Sequence, residues 1–322
     1  MKKSLLATIV IVILLGLAVI VGLALVQNKP AKQSTDQLTV AATIFPIADI
    51  VKNIGQPYIN VVTVLPPGAS PHTFELRPSD IKSLQNARAV FAVGHGLDEW
   101  ISPLFNSLPD LKLITVDNNI KLQTFGSENI PSLEDESENH EGDHEDHHDH
   151  SDSDLDPHYW LSTDNAKIIA QTVVDQLTII DPIHAQNFKD NLKNYQQALD
   201  DLKSQSLAIL QSGQINDLVV FHESWAYFAD EFGLKIAGIF EPQPGQEPSP
   251  KYLQSLYQTT QASGVEVIFT EPQLSSEVIK SFVNDLGLKM MILDPIGGLD
   301  SRQSYVDLIK YNVETIHDAF NQ

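Results

Sequence analysis

Residues 182–211 read PIHAQNFKDNLKNYQQALDDLKSQSLAILQ. Phe188, Leu192, Tyr195, Leu199, Leu202 and Leu210 fall at helical spacing and form one apolar stripe, so this stretch predicts a single amphipathic helix. About thirty residues of helix would reach roughly 45 Å, the length of a whole lobe. On its N-terminal side, apolar strands at Gln37–Thr43, Asn60–Leu65, Ala89–Val93 and Leu113–Val116 alternate with helices at Phe45–Ile54 and Arg77–Ala87. A further helix is expected over Asn165–Ile179. The C-terminal side repeats this in kind. Its strands are expected at Asp217–Phe221, Lys235–Phe240, Val265–Thr270 and Lys289–Leu293. Its helices are expected at Ser224–Phe232, Pro250–Ser263, around Ser276–Leu286 and at about Tyr305–Phe320. Such alternation predicts parallel sheets covered on both faces. The expected fold class is α/β, with two similar lobes joined by one long helix and a cleft between them where such sheets bind ligands.

The expected divisions are 1–34 for an export segment and tether, 35–181 for the first lobe, 182–212 for the linking helix and 213–322 for the second lobe. Lys2 and Lys3 precede an uncharged apolar run from Ser4 to Val26, the pattern of an export signal. The run is long enough to span a bilayer, and no clear small-residue cleavage site follows it. The length tips the reading towards an uncleaved membrane anchor over a cleaved signal peptide. Either way, residues from about Thr35 work outside the cytoplasmic membrane.

The 322 residues carry a net charge of −22, which argues against a nucleic-acid partner because phosphates would be repelled. Much of that charge is local. Glu134 to Asp156 holds twelve acidic residues and no basic one, leaving −10 for the rest. This insertion, at about 126–156, cannot bury apolar surface and is expected to be disordered. There are no cysteines, which removes disulfides, cysteine-ligated zinc and lipid attachment through an N-terminal cysteine.

The acidic segment and its edge, ENHEGDHEDHHDHSDSDLDPHYW at 138–160, contain six of the eleven histidines. Three histidines of the chain share another context. His72 follows the Pro-Pro-Gly turn after a strand, His158 sits in DPHYWLS where ordered structure resumes, and His222 ends the strand LVVFH. Asp294 ends the strand MMIL before the turn PIGG. Strand ends of parallel sheets converge on one edge, so these four side chains can meet in the cleft. Three imidazoles and a carboxylate suit tetrahedral zinc better than calcium or magnesium. Spacing alone does not establish convergence. A lone histidine after a strand is more often a hydrogen-bonded turn residue, and Asp294 could simply cap its turn.

The segments PGASPHTFELRPSDIKSLQNA, DPHYWLS, FHESWAYFADEFGL and LDPIGG occur in this order across about Leu38–Phe320. Together they resemble the metal-binding solute receptors of ABC transporters, cluster A-I, and particularly the zinc-uptake branch. The stretch EPQPGQEPSP at 241–250 is similar to the family's loop after the matching strand. The resemblance implies two pseudo-symmetric lobes bridged by a rigid long helix, with the metal held between them. It also implies His72, His158 and His222 as imidazole ligands and Asp294 as the carboxylate. Zn2+ is then the transported ligand, with Mn2+ the lesser alternative, since manganese-preferring relatives carry a glutamate at the place matching His222. The implied partner is an ABC permease with a cytoplasmic ATPase, and the receptor is expected to be a monomer. Two departures stand out: Pro71 occupies a place that is acidic in some zinc receptors, and the lipid-anchoring cysteine of many relatives is missing.

Within the histidine-rich segment, His158 is thus set apart from His140, His144, His147, His148 and His150. Imidazoles with ordinary pKa values near 6.5 are largely neutral at pH 7 and able to bind metal, while the carboxylates attract cations. These five are read as a low-affinity collector, against the alternative of a merely solvating tract. His95, in VGHGLDEW, is read as structural or accessory. Two rival functions carry weight. Three histidines with an open position also describe a zinc hydrolase, but HExxH is absent and HESWA at 222–226 lacks the second histidine. A metal buffer or adhesin without a transporter is the other. No GxxxxGK[ST] sequence occurs, so ATP hydrolysis would reside in a partner.

Overall fold

Four strands rich in β-branched and aromatic residues build each of two parallel sheets, and burial explains their composition. In the computed structural model, which describes residues 37–125, 155–215, 217–241, 249–273 and 279–321, the first sheet has the order β2-β1-β3-β4. Its strands are β1 (Leu38–Ala42), β2 (Ile59–Thr63), β3 (Ala89–Ala92) and β4 (Lys112–Thr115). The second sheet has the order β6-β5-β7-β8, made from β5 (Leu218–His222), β6 (Ile236–Glu241), β7 (Val267–Thr270) and β8 (Lys289–Ile292). All pairings are parallel, and the two orders are the same permutation. Inner strands β3, β5 and β7 are buried along their whole length, so they read as unbroken apolar runs. Edge strands β4 and β8 start with Lys112 and Lys289 and leave most positions at least partly open to water.

The helices are α1 (Phe45–Gly55), α2 (Pro78–Ser83), α3 (Ser102–Ser107), α4 (Thr163–Ile180), α5 (Ala185–Gln211), α6 (Ala226–Phe232), α7 (Pro250–Ala262), α8 (Lys280–Leu286) and α9 (Tyr305–Asn321). Helix α5 is the long linking helix, 27 residues after a 3-10 turn at Pro182–His184. Every residue of the expected stripe is buried, and Ser206 fills the remaining turn. Helices α4, α1 and α9 pack along it. Helix α2 is only six residues, shorter than the expected Arg77–Ala87; Asp80 accepts from the Arg77 backbone N–H at 2.9 Å to start it. Helix α3 was not expected, because six residues are too few to show a period. Among the described residues no helix is long and apolar enough to cross a membrane. The apolar run Ser4–Val26 lies outside those residues.

A wedge of chain at 156–163 ties the halves of the molecule together. Tyr227 on α6 donates to the Asp156 carbonyl at 3.0 Å, and the Trp160 indole donates to the Pro295 carbonyl at 2.8 Å. Glu231 on α6 accepts from the Thr163 N–H at 2.6 Å and from the Thr163 hydroxyl. The Tyr305 hydroxyl donates to the Trp160 carbonyl at 2.8 Å, while the Tyr305 N–H donates to Asp49 Oδ2 on α1 at 2.9 Å. Satisfied polar groups of this kind, buried in a low-dielectric interior, fix one relative arrangement of the elements they join.

Candidate metal centre

Both sheets change direction between their two inner strands, and open α/β sheets bind ligands beyond the strand C-termini at such a point. His222 is the last residue of β5, and Glu271 directly follows β7, so the two straddle that point in the second sheet. His72 comes from the loop after β2. That loop turns at Gly68, whose φ of +78° suits a residue without Cβ, and the Ala69 N–H closes the turn onto the Pro66 carbonyl at 3.1 Å. His158 precedes a 3-10 turn at Tyr159–Leu161 whose three side chains are buried, which holds the histidine in place.

These three histidines meet. Their ring centroids lie 5.5 Å (His72–His158), 5.5 Å (His72–His222) and 5.3 Å (His158–His222) apart. One nitrogen from each lies within 4.8 Å of the others, the one such group found among the described residues. Nitrogens on a single zinc ion at about 2.0–2.1 Å sit roughly 3.4 Å apart, so shifts of the order of an ångström bring the rings onto one ion. A cavity of about 10 Å³, bounded by Ser70, Pro71, Gln273, Pro295 and Ile296 besides the histidines, separates them. It has room for one small occupant. The buried Nε2 of His72 has no hydrogen-bond partner, an arrangement that costs stability unless something accepts its lone pair.

Burial first, and then the neighbouring His158 and His222, push the His72 pKa down to about 2. Burial likewise holds His158 well below the usual histidine range. These two rings are therefore neutral at physiological pH, the state a metal ligand needs. Each of the two most buried rings is backed by a carboxylate. Asp156 Oδ1 lies 2.7 Å from His158 Nδ1 and also accepts the His158 N–H at 2.9 Å. Glu271 Oε1 lies 2.7 Å from His222 Nδ1 and accepts from the Trp225 indole at 3.2 Å. Burial lifts the Asp156 carboxyl to about 7, against the lowering effect of the His158 N–H that it accepts.

Asp294, expected as the carboxylate ligand, is not brought into the group of three. It is fully buried, and its Oδ1 accepts from Gln273 Nε2 at 2.8 Å and from the N–H groups of Ile296 (3.0 Å) and Gly297 (2.9 Å). Its Oδ2 is 2.8 Å from Arg302 Nε, an ion pair not aligned as a hydrogen bond. His95 also lies elsewhere, with φ +53° and its Nε2 3.0 Å from Asp117 Oδ2. His140, His144, His147, His148 and His150 lie outside the described residues, as does most of the loop at 241–250. The sequence reading passed over two residues. Asp156 was counted with the acidic run but is 1% exposed, just after the Thr124–Leu155 bridge. Glu271 follows β7 much as Asp294 follows β8, and that placement was the signal for it.

Two like-ordered parallel sheets on one long helix, with imidazoles gathered at their facing edges, define a bilobed solute-binding protein. The sequence model of the family described as zinc-uptake complex component A, periplasmic, matches residues 40–319, and the chain belongs to that family. Its members are solute-binding proteins rather than enzymes. The chain is 28% identical over 300 residues to the zinc-binding protein AdcA of Streptococcus pyogenes serotype M3. That alignment covers 90% of this chain and 58% of AdcA, so the chain spans little more than half the length of that relative. It is also 28% identical over 294 residues to the high-affinity zinc uptake system protein ZnuA of Bacillus subtilis (strain 168), covering 90% of this chain and 89% of that one. A crystal structure of ZnuA superposes with a TM-score of 0.74 and 25% identity, covering 89% of this chain and 100% of the other.

Proposed function

We propose that this chain captures zinc outside the cytoplasmic membrane and delivers it to an ABC-type permease driven by a cytoplasmic ATPase. The observation that carries this reading is the meeting of His72, His158 and His222, from three distant segments, around one small cavity. Three neutral imidazoles select zinc over oxygen-preferring cations, and the names of the relatives point the same way. Asp294 is the proposed fourth ligand; to reach the ion its carboxylate would exchange Gln273 or Arg302 for the metal. A small shift of one loop or lobe that spoils the tetrahedron would release the cargo. The N-terminal run Ser4–Val26 holds the receptor at the membrane as an uncleaved anchor, and the receptor acts as a monomer. His140, His144, His147, His148 and His150 collect ions weakly nearby.

Competition calorimetry on the full chain tests the zinc assignment. One tight zinc site that manganese does not empty is the expected result, and displacement by comparable manganese would overturn it. Deleting residues 134–154 is expected to leave that tight site and remove only weaker additional ions. Loss of the tight site along with the insertion would refute the division of labour.

A further inference from the structure

We infer that Asp156 and Glu271 are positioning residues that hold His158 and His222 in the tautomer protonated at Nδ1, so that both present Nε2 to the same ion. This inference rests on the zinc-receptor reading and adds to it which nitrogens bind and what fixes them. A neutral imidazole carries its single proton on either nitrogen, and only the unprotonated one can bind a metal. Left to itself, each buried ring could aim an N–H at the ion. The oxygen facing each ring already acts as an acceptor, Asp156 Oδ1 for the His158 N–H and Glu271 Oε1 for the Trp225 indole, so the ring proton lies on Nδ1 and leaves the Nε2 lone pair for the metal. Both contacts are 2.7 Å, and both acids are nearly inaccessible to water.

The acids are themselves held. Asp156 Oδ1 also takes the His158 N–H, and its backbone carbonyl takes the Tyr227 hydroxyl. Glu271 Oε1 also accepts from the Trp225 indole at 3.2 Å and the Ser224 hydroxyl at 3.3 Å. One acid comes from before the linking helix and one from after it, so each side of the cleft carries one oriented imidazole. His72 has no such carboxylate among the described residues, and its Nε2 stands without a partner beside the same cavity. All three rings can then offer Nε2 to one point.

Nitrogen-15 spectra of the metal-free full chain, labelled at histidine, test this directly. His158 and His222 are expected to be protonated at Nδ1 and bare at Nε2; a proton on Nε2 of either ring would overturn the assignment for that ring. Asp156→Ala and Glu271→Ala are each expected to weaken zinc binding about 10- to 100-fold. Asp156→Asn and Glu271→Gln are expected to recover part of that loss, because the amide oxygen still accepts from Nδ1–H. Alanine variants that bind zinc as tightly as the unaltered chain would contradict the proposal. Should they fail to fold, the tautomers of the unaltered chain decide the matter. A chain that binds no zinc yet shows both Nδ1–H tautomers would refute the receptor reading and leave the positioning role standing.

Discussion

Replacing His72, His158 or His222 by alanine is expected to abolish tight stoichiometric zinc binding by the full chain. A zinc site is worth about 10–16 kcal/mol in total, so one ligand of four carries about 3 kcal/mol. At about 1.4 kcal/mol per decade, that is a loss of a hundredfold or more. Titration against a competing chelator measures it. The His95→Ala control is expected to bind normally, because that ring is engaged with Asp117 and lies outside the group of three. His158→Ala and His222→Ala also leave Asp156 and Glu271 buried without their ring partners, so circular dichroism should accompany the titration. Near-normal affinity in any one of the three variants strikes that histidine from the ligand set.

The stability of the metal-free chain is expected to carry a contribution from His72 that is lost on acidification below about pH 6.5. His72 titrates at about 2 in the folded chain, against about 6.5 in an unfolded one. Between those values the unfolded chain binds more protons, so stability is present at higher pH and is lost as the pH falls. His158 acts in the same direction, its pKa lowered by burial. Asp156 opposes them: burial raises its carboxyl from 3.8 to about 7, so its contribution is present at low pH and lost as the pH rises. Asp49 and Asp98, whose carboxyls burial also raises, act with Asp156, so the His72 contribution is isolated as the difference in slope between the unaltered chain and His72→Gln. Urea midpoints of the chelator-treated chain between pH 6 and pH 4.5 report that slope. The unaltered chain is expected to lose about 1.4 kcal/mol more stability per pH unit on acidification than His72→Gln does. A profile unchanged by His72→Gln would mean that the ring is not held neutral by its burial.

The linking helix was legible because burial of Phe188, Leu192, Tyr195, Leu199, Leu202 and Leu210 on one side leaves a stripe that sequence records directly. The sheets were legible for the same reason: inner strands such as Val267–Thr270 are buried on both faces and admit only apolar or small residues. Short elements leave no such trace, and Ser102–Ser107 has fewer than two turns in which to repeat. Strand-end placement pointed to His72, His158 and His222, while their approach to within 4.8 Å is a tertiary fact that spacing does not encode. Asp156 shows the limit most clearly. By charge it is one of twelve acids in that segment, and nothing in the run announces its burial against His158. For Asp294, the partners Gln273 and Arg302 that engage its carboxylate could not be foreseen from the strand it ends.

X-ray absorption at the zinc edge, recorded on the full chain loaded with one equivalent of zinc, tests the central claim most directly. The expected first shell holds three imidazole nitrogens and one oxygen at about 2.0–2.2 Å. A shell dominated by oxygen, with fewer than three imidazoles, would contradict the assignment of His72, His158 and His222 to a single ion.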